Sequence, residues 1–225
     1  MILICRGREP DSLLRYRKEH SNACYENLPK QVREDIRAQM WDEQRGLCAY
    51  CMCQIRDPRD VRIEHYSARH PKDSVYDPQN TLDFKKMLAV CYGNSLEPGT
   101  KKEDTTCDAH KGNKPLTINP YDIYSIRKIR YTSDGYITSD DDKIKEDVQD
   151  VLNLNSMASS LPENRKNVLL RTKIEIRKLC KNKRHDTYLS VLNKLYKRYT
   201  EDRKLIPYCG IVISWLEKEL KITER

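Results

Sequence analysis

Glycine is scarce in this chain, and long apolar runs are missing from it. Only 7 of the 225 residues are glycine, whereas Asp, Glu, Lys and Arg make up 34%, so we expect a soluble, mainly helical protein. No apolar run approaches the roughly 18 residues that a membrane span needs. The opening MILICRGREP reaches Arg6 too soon for a secretory signal. These absences predict a cytoplasmic protein, in a compartment where disulfides are rare.

The residue patterns divide the chain into three regions of an α+β, mainly helical fold. Residues 1–45 predict an N-terminal helical arm, broken near Pro29. Residues 46–120 are rich in turns and hold every unusual motif. Residues 121–225 begin with alternating residues on both sides of Asp134-Gly135, which predict a β-hairpin, and continue as helices with apolar stripes. We expect these stripes to form core.

Positive charge is concentrated towards the C-terminal end. The formal net charge is +8, and residues 151–225 contain 17 Lys and Arg against 8 Asp and Glu. Such an excess is typical of a surface that binds nucleic acid or an acidic partner. A plain solvated helical surface explains it equally well.

Five of the nine cysteines lie close together in the central region. Cys48 and Cys51 have the CxxC spacing at which two thiolates reach one tetrahedral zinc ion. Cys91 and Cys107 supply a second pair, separated by fifteen residues, and Cys53 is a spare thiol near the first. Four thiolates would close a structural zinc site and leave no open position for chemistry. The alternative is that some of these cysteines are ordinary buried thiols.

An acid and a histidine lie between the two cysteine pairs. The stretch RIEHYSARH places Glu64 beside His65, and Asn80 follows fifteen residues later. Asp108 directly follows the last cysteine, in CDAHKGN. This order resembles the HNH nucleases, whose ββα-metal core consists of two strands and a helix around one divalent ion. A zinc-stapled core of this kind is therefore the expected fold of residues 46–120.

Further motifs narrow the resemblance. QRGLCAYC, IEHY, DFKKMLAVCYGN, CDAHKGN and LTINP together resemble PtuB, the HNH subunit of Septu and retron-associated anti-phage defence systems. In that family an insertion splits the second cysteine pair, as Gly93-Asn94 and residues 95–106 do here. The family works beside PtuA, an ATPase of the SMC/ABC-like type. A reverse transcriptase and its DNA product are possible further members of the complex.

The resemblance implies a set of catalytic roles. His65 would act as general base, because a neutral imidazole can accept a proton from water near pH 7. Glu64 and Asp108 would bind a catalytic Mg²⁺ or Mn²⁺ ion, which prefers oxygen ligands. Asn80 would fix the loop behind the histidine. Lys111, three residues after Asp108 on the expected helix, would meet a phosphate.

Two positions depart from the family pattern. Glu64 stands where Asp is typical, and Asp108 stands where Asn or His is typical. His110, two residues further on, therefore remains an alternative metal ligand if the helix begins later. His70, in a proline-flanked loop, is expected at the surface.

The resemblance implies a metal-dependent endonuclease acting on nucleic acid, with DNA the expected substrate, as the effector subunit of an anti-phage complex with an ATPase. The alternative is a zinc-stapled nucleic-acid-binding or adaptor module without catalysis. Glu64-His65 together with Asp108 favours the enzyme, because a binding module needs no base beside two carboxylates. We expect the basic C-terminal helices to bind the partner rather than DNA, since the nuclease core must already hold the substrate.

Overall fold

The computed structural model describes residues 1–67, 78–181 and 185–220, so the predicted surface position of His70 lies outside the described residues. Within them the fold is α+β, with helices much longer than the strands. The strands are β1 (Arg62–His65), β2 (Met87–Val90), β3 (Ile129–Tyr131) and β4 (Ile137–Ser139). The α-helices are α1 (Asp11–Glu19), α2 (Lys30–Glu43), α3 (Cys107–Lys111), α4 (Ile123–Ile126), α5 (Asp142–Glu146), α6 (Leu161–Cys180), α7 (His185–Thr200) and α8 (Cys209–Glu219).

The N-terminal region forms two helices, and the predicted break near Pro29 is confirmed. Pro29 is the N-cap of α2, a position that tolerates its missing N–H group. The residues at helical spacing in α2, Val32, Ile36 and Met40, are all buried. After the helix, the Gly46 N–H donates to the Trp41 carbonyl at 2.8 Å. The chain then turns directly into the first cysteine pair.

Two antiparallel strands and the short helix α3 form the centre of the molecule. β1 pairs with β2 so that Glu64 lies opposite Leu88 and His65 opposite Met87. The Gln44 side chain extends this pairing: its Nε2 donates to the Ala89 carbonyl at 2.7 Å, and its Oε1 accepts from the Ala89 N–H at 2.8 Å. The strand that carries the acid and the histidine is therefore anchored through its partner to the end of α2.

The predicted hairpin and the helix after it are both present. β3 and β4 pair around Asp134-Gly135, and Gly135 has φ +87°. A Cβ atom there would lie 1.9 Å from the Pro162 carbonyl oxygen, so glycine lets the hairpin pack against the start of α6. Asp141 caps α5 by accepting N–H groups of Lys143 and Ile144 at 3.1 and 3.2 Å, as expected for an acid at a helix N-terminus.

The C-terminal helices α6, α7 and α8 pack on one another around a second apolar cluster. Leu192 and Leu216 are fully buried there, and the Thr172 hydroxyl bonds the Tyr199 hydroxyl at 2.7 Å. Leu47 and Met52, which flank the first cysteine pair, belong to the same cluster. The C-terminal helices therefore pack directly on the cysteine-bearing turn.

Among the described residues, no helix combines the length and the apolar character that a membrane crossing requires.

Candidate active site and metal centre

Four cysteine side chains meet at one point and can hold a metal ion. Their sulfur atoms all lie within 4.8 Å of one another. The Sγ–Sγ distances are 3.9 Å for Cys48–Cys107 and 3.7 Å for both Cys51–Cys91 and Cys91–Cys107. A tetrahedral zinc ion with Zn–S bonds of about 2.3 Å places its sulfur ligands about 3.8 Å apart. The residues therefore fit such an ion closely.

The pKa shifts of these thiols are also consistent with a bound cation. The hydrogen bond from Cys107 helps to lower the pKa of Cys51 to about 6. The hydrogen bond to Cys48 raises the pKa of Cys107 well above its ordinary value. Thiols in mutual contact cannot all ionise unless positive charge compensates them, and a metal ion supplies that charge.

The second pair of ligands is split by an insertion, and Gly93 makes this possible. The Thr106 N–H donates to the Gly93 carbonyl at 3.0 Å, so the chain leaves after Cys91 and returns just before Cys107. Gly93 has φ +56°, and a Cβ atom there would lie 2.0 Å from the Thr106 carbonyl oxygen. The backbone contact between Gly93 and Thr106 therefore brings Cys91 and Cys107 together, although the insertion separates them in the sequence.

Cys53 lies outside the group of four sulfur atoms. Its backbone N–H donates to the Cys51 sulfur at 3.5 Å, and its carbonyl accepts from the Cys48 N–H at 3.0 Å. The spare cysteine thus supports the ligand turn through its backbone, and its thiol also contacts the sulfur atoms of Cys48, Cys51 and Cys91.

Glu64 is buried and is held by three donors. One carboxylate oxygen accepts from the Tyr50 hydroxyl at 3.1 Å and from the Lys111 ammonium at 2.8 Å. The other accepts from the His65 backbone N–H at 3.0 Å. Tyr50 belongs to the Cys48–Cys51 turn, so the metal centre and the acid are directly connected.

Glu64 also lies against Asp108, the acid in the first turn of α3. Burial and then the contact with Asp108 raise the pKa of Glu64 to about 8, and Lys111 opposes this rise. The Asp108 carboxylate forms an ion pair with Arg62, whose Nε lies 2.6 Å from Oδ2 and whose side chain is 44% exposed. The structure therefore brings together two carboxylates from different elements, with a cation beside each.

Two neighbouring carboxylates are the type of ligand that a hard divalent ion prefers. Mg²⁺ is typically held by one or two carboxylates and keeps several water ligands. The raised pKa of Glu64 shows that its burial beside Asp108 disfavours its charged form. A divalent cation would relieve this repulsion.

His65 is buried next to Glu64 and is oriented by the following loop. Its Nε2 lies 2.9 Å from the Thr81 carbonyl oxygen, and its ring meets the Tyr25 ring edge-on at 4.6 Å. A carbonyl oxygen only accepts, so Nε2 is the donor in this contact. A general base acting through Nδ1 needs a neutral ring with its proton on Nε2, and this contact is compatible with that tautomer.

The other predicted site residues lie in different surroundings. The Lys86 ammonium is 3.5 Å from the Asn80 side-chain oxygen, and Asn80 lies in the same 3-10 turn as Thr81. His110 lies against the insertion, with Nδ1 3.2 Å from the Lys102 carbonyl. Lys111 is buried against Glu64 rather than exposed as a phosphate ligand.

Tyr50, Arg62 and Thr81 were not singled out from the sequence. Arg62 carried a usable signal, because residues two apart on a strand share a face and Arg62 precedes Glu64 by two. Tyr50 and Thr81 gave no local signal, since each acts through a contact with a residue distant in the chain.

No model of a known protein family matches the chain, and no curated protein matches it.

Proposed function

We propose that the chain is a metal-dependent endonuclease of the HNH type that hydrolyses phosphodiester bonds, with DNA as the expected substrate. One observation carries the proposal: Glu64 from β1 and Asp108 from α3 lie together, and β1 ends directly after Glu64 at His65, whose Nε2 lies 2.9 Å from the Thr81 carbonyl oxygen. A pure binding module has no need of two buried acids in contact.

In the proposed reaction, a water oxygen adds to phosphorus and the bond to the 3′ oxygen breaks. His65 accepts the water's proton at Nδ1, and the Thr81 carbonyl stabilises the resulting imidazolium through Nε2. Glu64 and Asp108 would hold the divalent ion, which supplies positive charge for the phosphoryl and leaving oxygens. Tyr50 keeps Glu64 oriented; burial and then the Glu64 charge raise the pKa of the phenol, so its hydroxyl donates throughout.

The four cysteines would bind a structural zinc ion in this proposal. The ion would hold the turn after α2, the end of β2 and the start of α3 at fixed separation. Two of these three ligand segments also bear on the acid pair: Tyr50 lies between Cys48 and Cys51 and donates to Glu64, and Asp108 directly follows Cys107. The zinc would therefore position the acids without taking part in chemistry.

The test compares cleavage of plasmid, single-stranded DNA and total RNA, with Mg²⁺ or Mn²⁺ present, by wild type and His65→Ala. His20→Ala is the matched control, because His20 is exposed and bonds the Tyr16 carbonyl of its own helix. Cleavage that is lost in His65→Ala and kept in His20→Ala, at equal zinc content, supports the proposal. Equal cleavage by all three proteins contradicts it.

A non-catalytic, zinc-stapled nucleic-acid-binding or adaptor module is the second candidate. One observation favours it: Lys111 pairs with Glu64 and Arg62 pairs with Asp108, as expected for a purely structural cluster. In that case wild type binds nucleic acid or its partner but cuts no substrate with either metal.

We also propose that the chain is the effector subunit of an anti-phage complex, beside a PtuA-like ATPase. The surface of α6 supports a docking role, because Leu170 and Ile174 are 50% and 40% exposed and lie at i+4 spacing between the exposed residues Lys166 and Lys178. An acidic surface with an apolar centre on the ATPase would complement it. Co-purification with the ATPase should be lost in the double variant Leu170→Asp/Ile174→Asp and kept in Leu96→Asp, an exposed leucine in the insertion. Equal co-purification would contradict this docking surface.

A further inference from the structure

Arg62 is the most exposed member of the charged cluster. It lies on β1 two residues before Glu64, so its side chain shares a strand face with that acid. Its Nε is 2.6 Å from the Asp108 carboxylate, and its side chain is 44% exposed. Lys111, the other cation, has a side chain that is only 1% exposed. Arg62 can therefore leave its carboxylate partner for solvent far more easily than Lys111 can.

A divalent ion at Asp108 must compete with Arg62. The ion would need the carboxylate oxygens that the guanidinium now occupies, and two cations in one small space repel each other. Lys111 is enclosed and also donates to the Gly112 carbonyl at 3.3 Å. Arg62 can rotate into solvent, and half-exposed ion pairs contribute little to stability. Arg62 is thus the cation that an incoming divalent ion would displace from Asp108.

The released guanidinium would lie beside the site where substrate enters. A guanidinium binds carboxylate and phosphate with the same forked geometry. We propose that Arg62 alternates between two anions: it holds Asp108 when no divalent ion is bound, and it binds a backbone phosphate of the nucleic acid once the ion takes Asp108. This inference rests on the proposed function and assigns Arg62 a substrate-binding role within it.

The alternation couples the two binding events. Nucleic acid that engages Arg62 removes a competitor from Asp108 and so tightens ion binding. By linkage, the ion tightens nucleic-acid binding by the same factor. A site of this design binds its metal weakly until substrate arrives.

The experiment measures Mn²⁺ binding by electron paramagnetic resonance in zinc-loaded protein, with and without an unlabelled DNA duplex. All proteins carry His65→Ala, so that the duplex is not cut. Without DNA, Arg62→Gln should bind Mn²⁺ about fivefold more tightly, the scale expected for losing a half-exposed ion pair. DNA should tighten Mn²⁺ binding in the parent, and this effect should be absent in Arg62→Gln.

Arg59→Gln is the matched control. Arg59 lies in the adjacent 3-10 turn and pairs with Asp57 at 2.8 Å, so the variant removes an equal charge nearby without touching the acids. It should behave as the parent does. If Arg62→Gln also behaves as the parent does, while Asp108→Asn abolishes Mn²⁺ binding, the proposed alternation of Arg62 is wrong but the metal site at Asp108 still stands. If Asp108→Asn leaves Mn²⁺ binding unchanged, the acids hold no ion and the proposed function falls as well.

Discussion

Lys111→Met should strongly destabilise the protein, because Lys111 is the buried partner of Glu64. Their side chains are 1% and 7% exposed, and the ammonium lies 2.8 Å from the carboxylate. Removing one member of a buried ion pair costs about 3–5 kcal/mol when the other charge is left without compensation. Because the pKa of Glu64 is about 8, its carboxyl can take up a proton at lower pH, so the full loss is expected above pH 8 and a smaller loss at pH 7. Methionine nearly matches the length of the lysine stem, so the loss reports mainly on charge.

The measurement is urea unfolding of zinc-loaded protein, followed by circular dichroism. Lys114→Met is the matched control, because Lys114 is exposed just beyond α3 and such substitutions usually change stability by about 0.5 kcal/mol or less. The double variant Glu64→Gln/Lys111→Met should recover part of the lost stability, because no unpaired charge remains. If Lys111→Met is as stable as Lys114→Met, Lys111 is not a buried partner and its predicted role as a phosphate ligand regains support.

Three further predictions concern the metal centre and its connection to the acids. Cys107→Ser should lower the zinc content measured by mass spectrometry and unfold the centre, because it removes one of four thiolates; full zinc content would contradict the four-cysteine site. Gly93→Ala should destabilise the protein by clearly more than Gly99→Ala, because both glycines have positive φ but only Gly93 faces a carbonyl oxygen, 2.0 Å from an added Cβ; equal unfolding midpoints would refute this. Tyr50→Phe should keep zinc but weaken Mn²⁺ binding by about tenfold or more, since a hydrogen bond to a charged group contributes about 1.5–3 kcal/mol; unchanged Mn²⁺ binding would show that the Tyr50 hydroxyl does not position Glu64.

The cysteine cluster was predictable because its signal is local and chemical. A CxxC pair has metal-ligand spacing, and two further cysteines complete a set of four ligands. The sulfur positions confirm that Cys91 and Cys107 join the first pair. That Cys53 lies outside the group depends on the path of the turn, which residue spacing does not specify.

The surroundings of the acids were less predictable, because they depend on contacts between distant segments. Helical spacing correctly placed Lys111 on the face of Asp108, but the partner on that face comes from β1. The pattern also left Asp108 and His110 open as ligands. The helix begins at Cys107, and Asp108 then lies beside Glu64 while His110 contacts the insertion. The catalytic roles of these residues and of His65 remain predictions.

The α6 stripe illustrates a third limit. Helical spacing predicts a buried face of α6 formed by Leu169, Ile176 and Cys180; Leu169 and Ile176 are buried, and Cys180 is half-buried. The spacing gave no reason to expect Leu170 and Ile174 on the opposite, exposed face. In the proposed docking role these residues would lie against the partner, a contact that the chain alone does not contain.

The most direct test of the account is the single-turnover cleavage rate of wild type and His65→Ala, measured across a range of Mn²⁺ concentrations on one labelled substrate. A general base acts on the rate and not on ion binding. The maximal rate should therefore fall by about 10²–10⁴-fold, with the half-saturating Mn²⁺ concentration unchanged. An unchanged maximal rate, or a shift in the Mn²⁺ midpoint alone, would contradict the assignment of His65 as the base beside the Glu64–Asp108 pair.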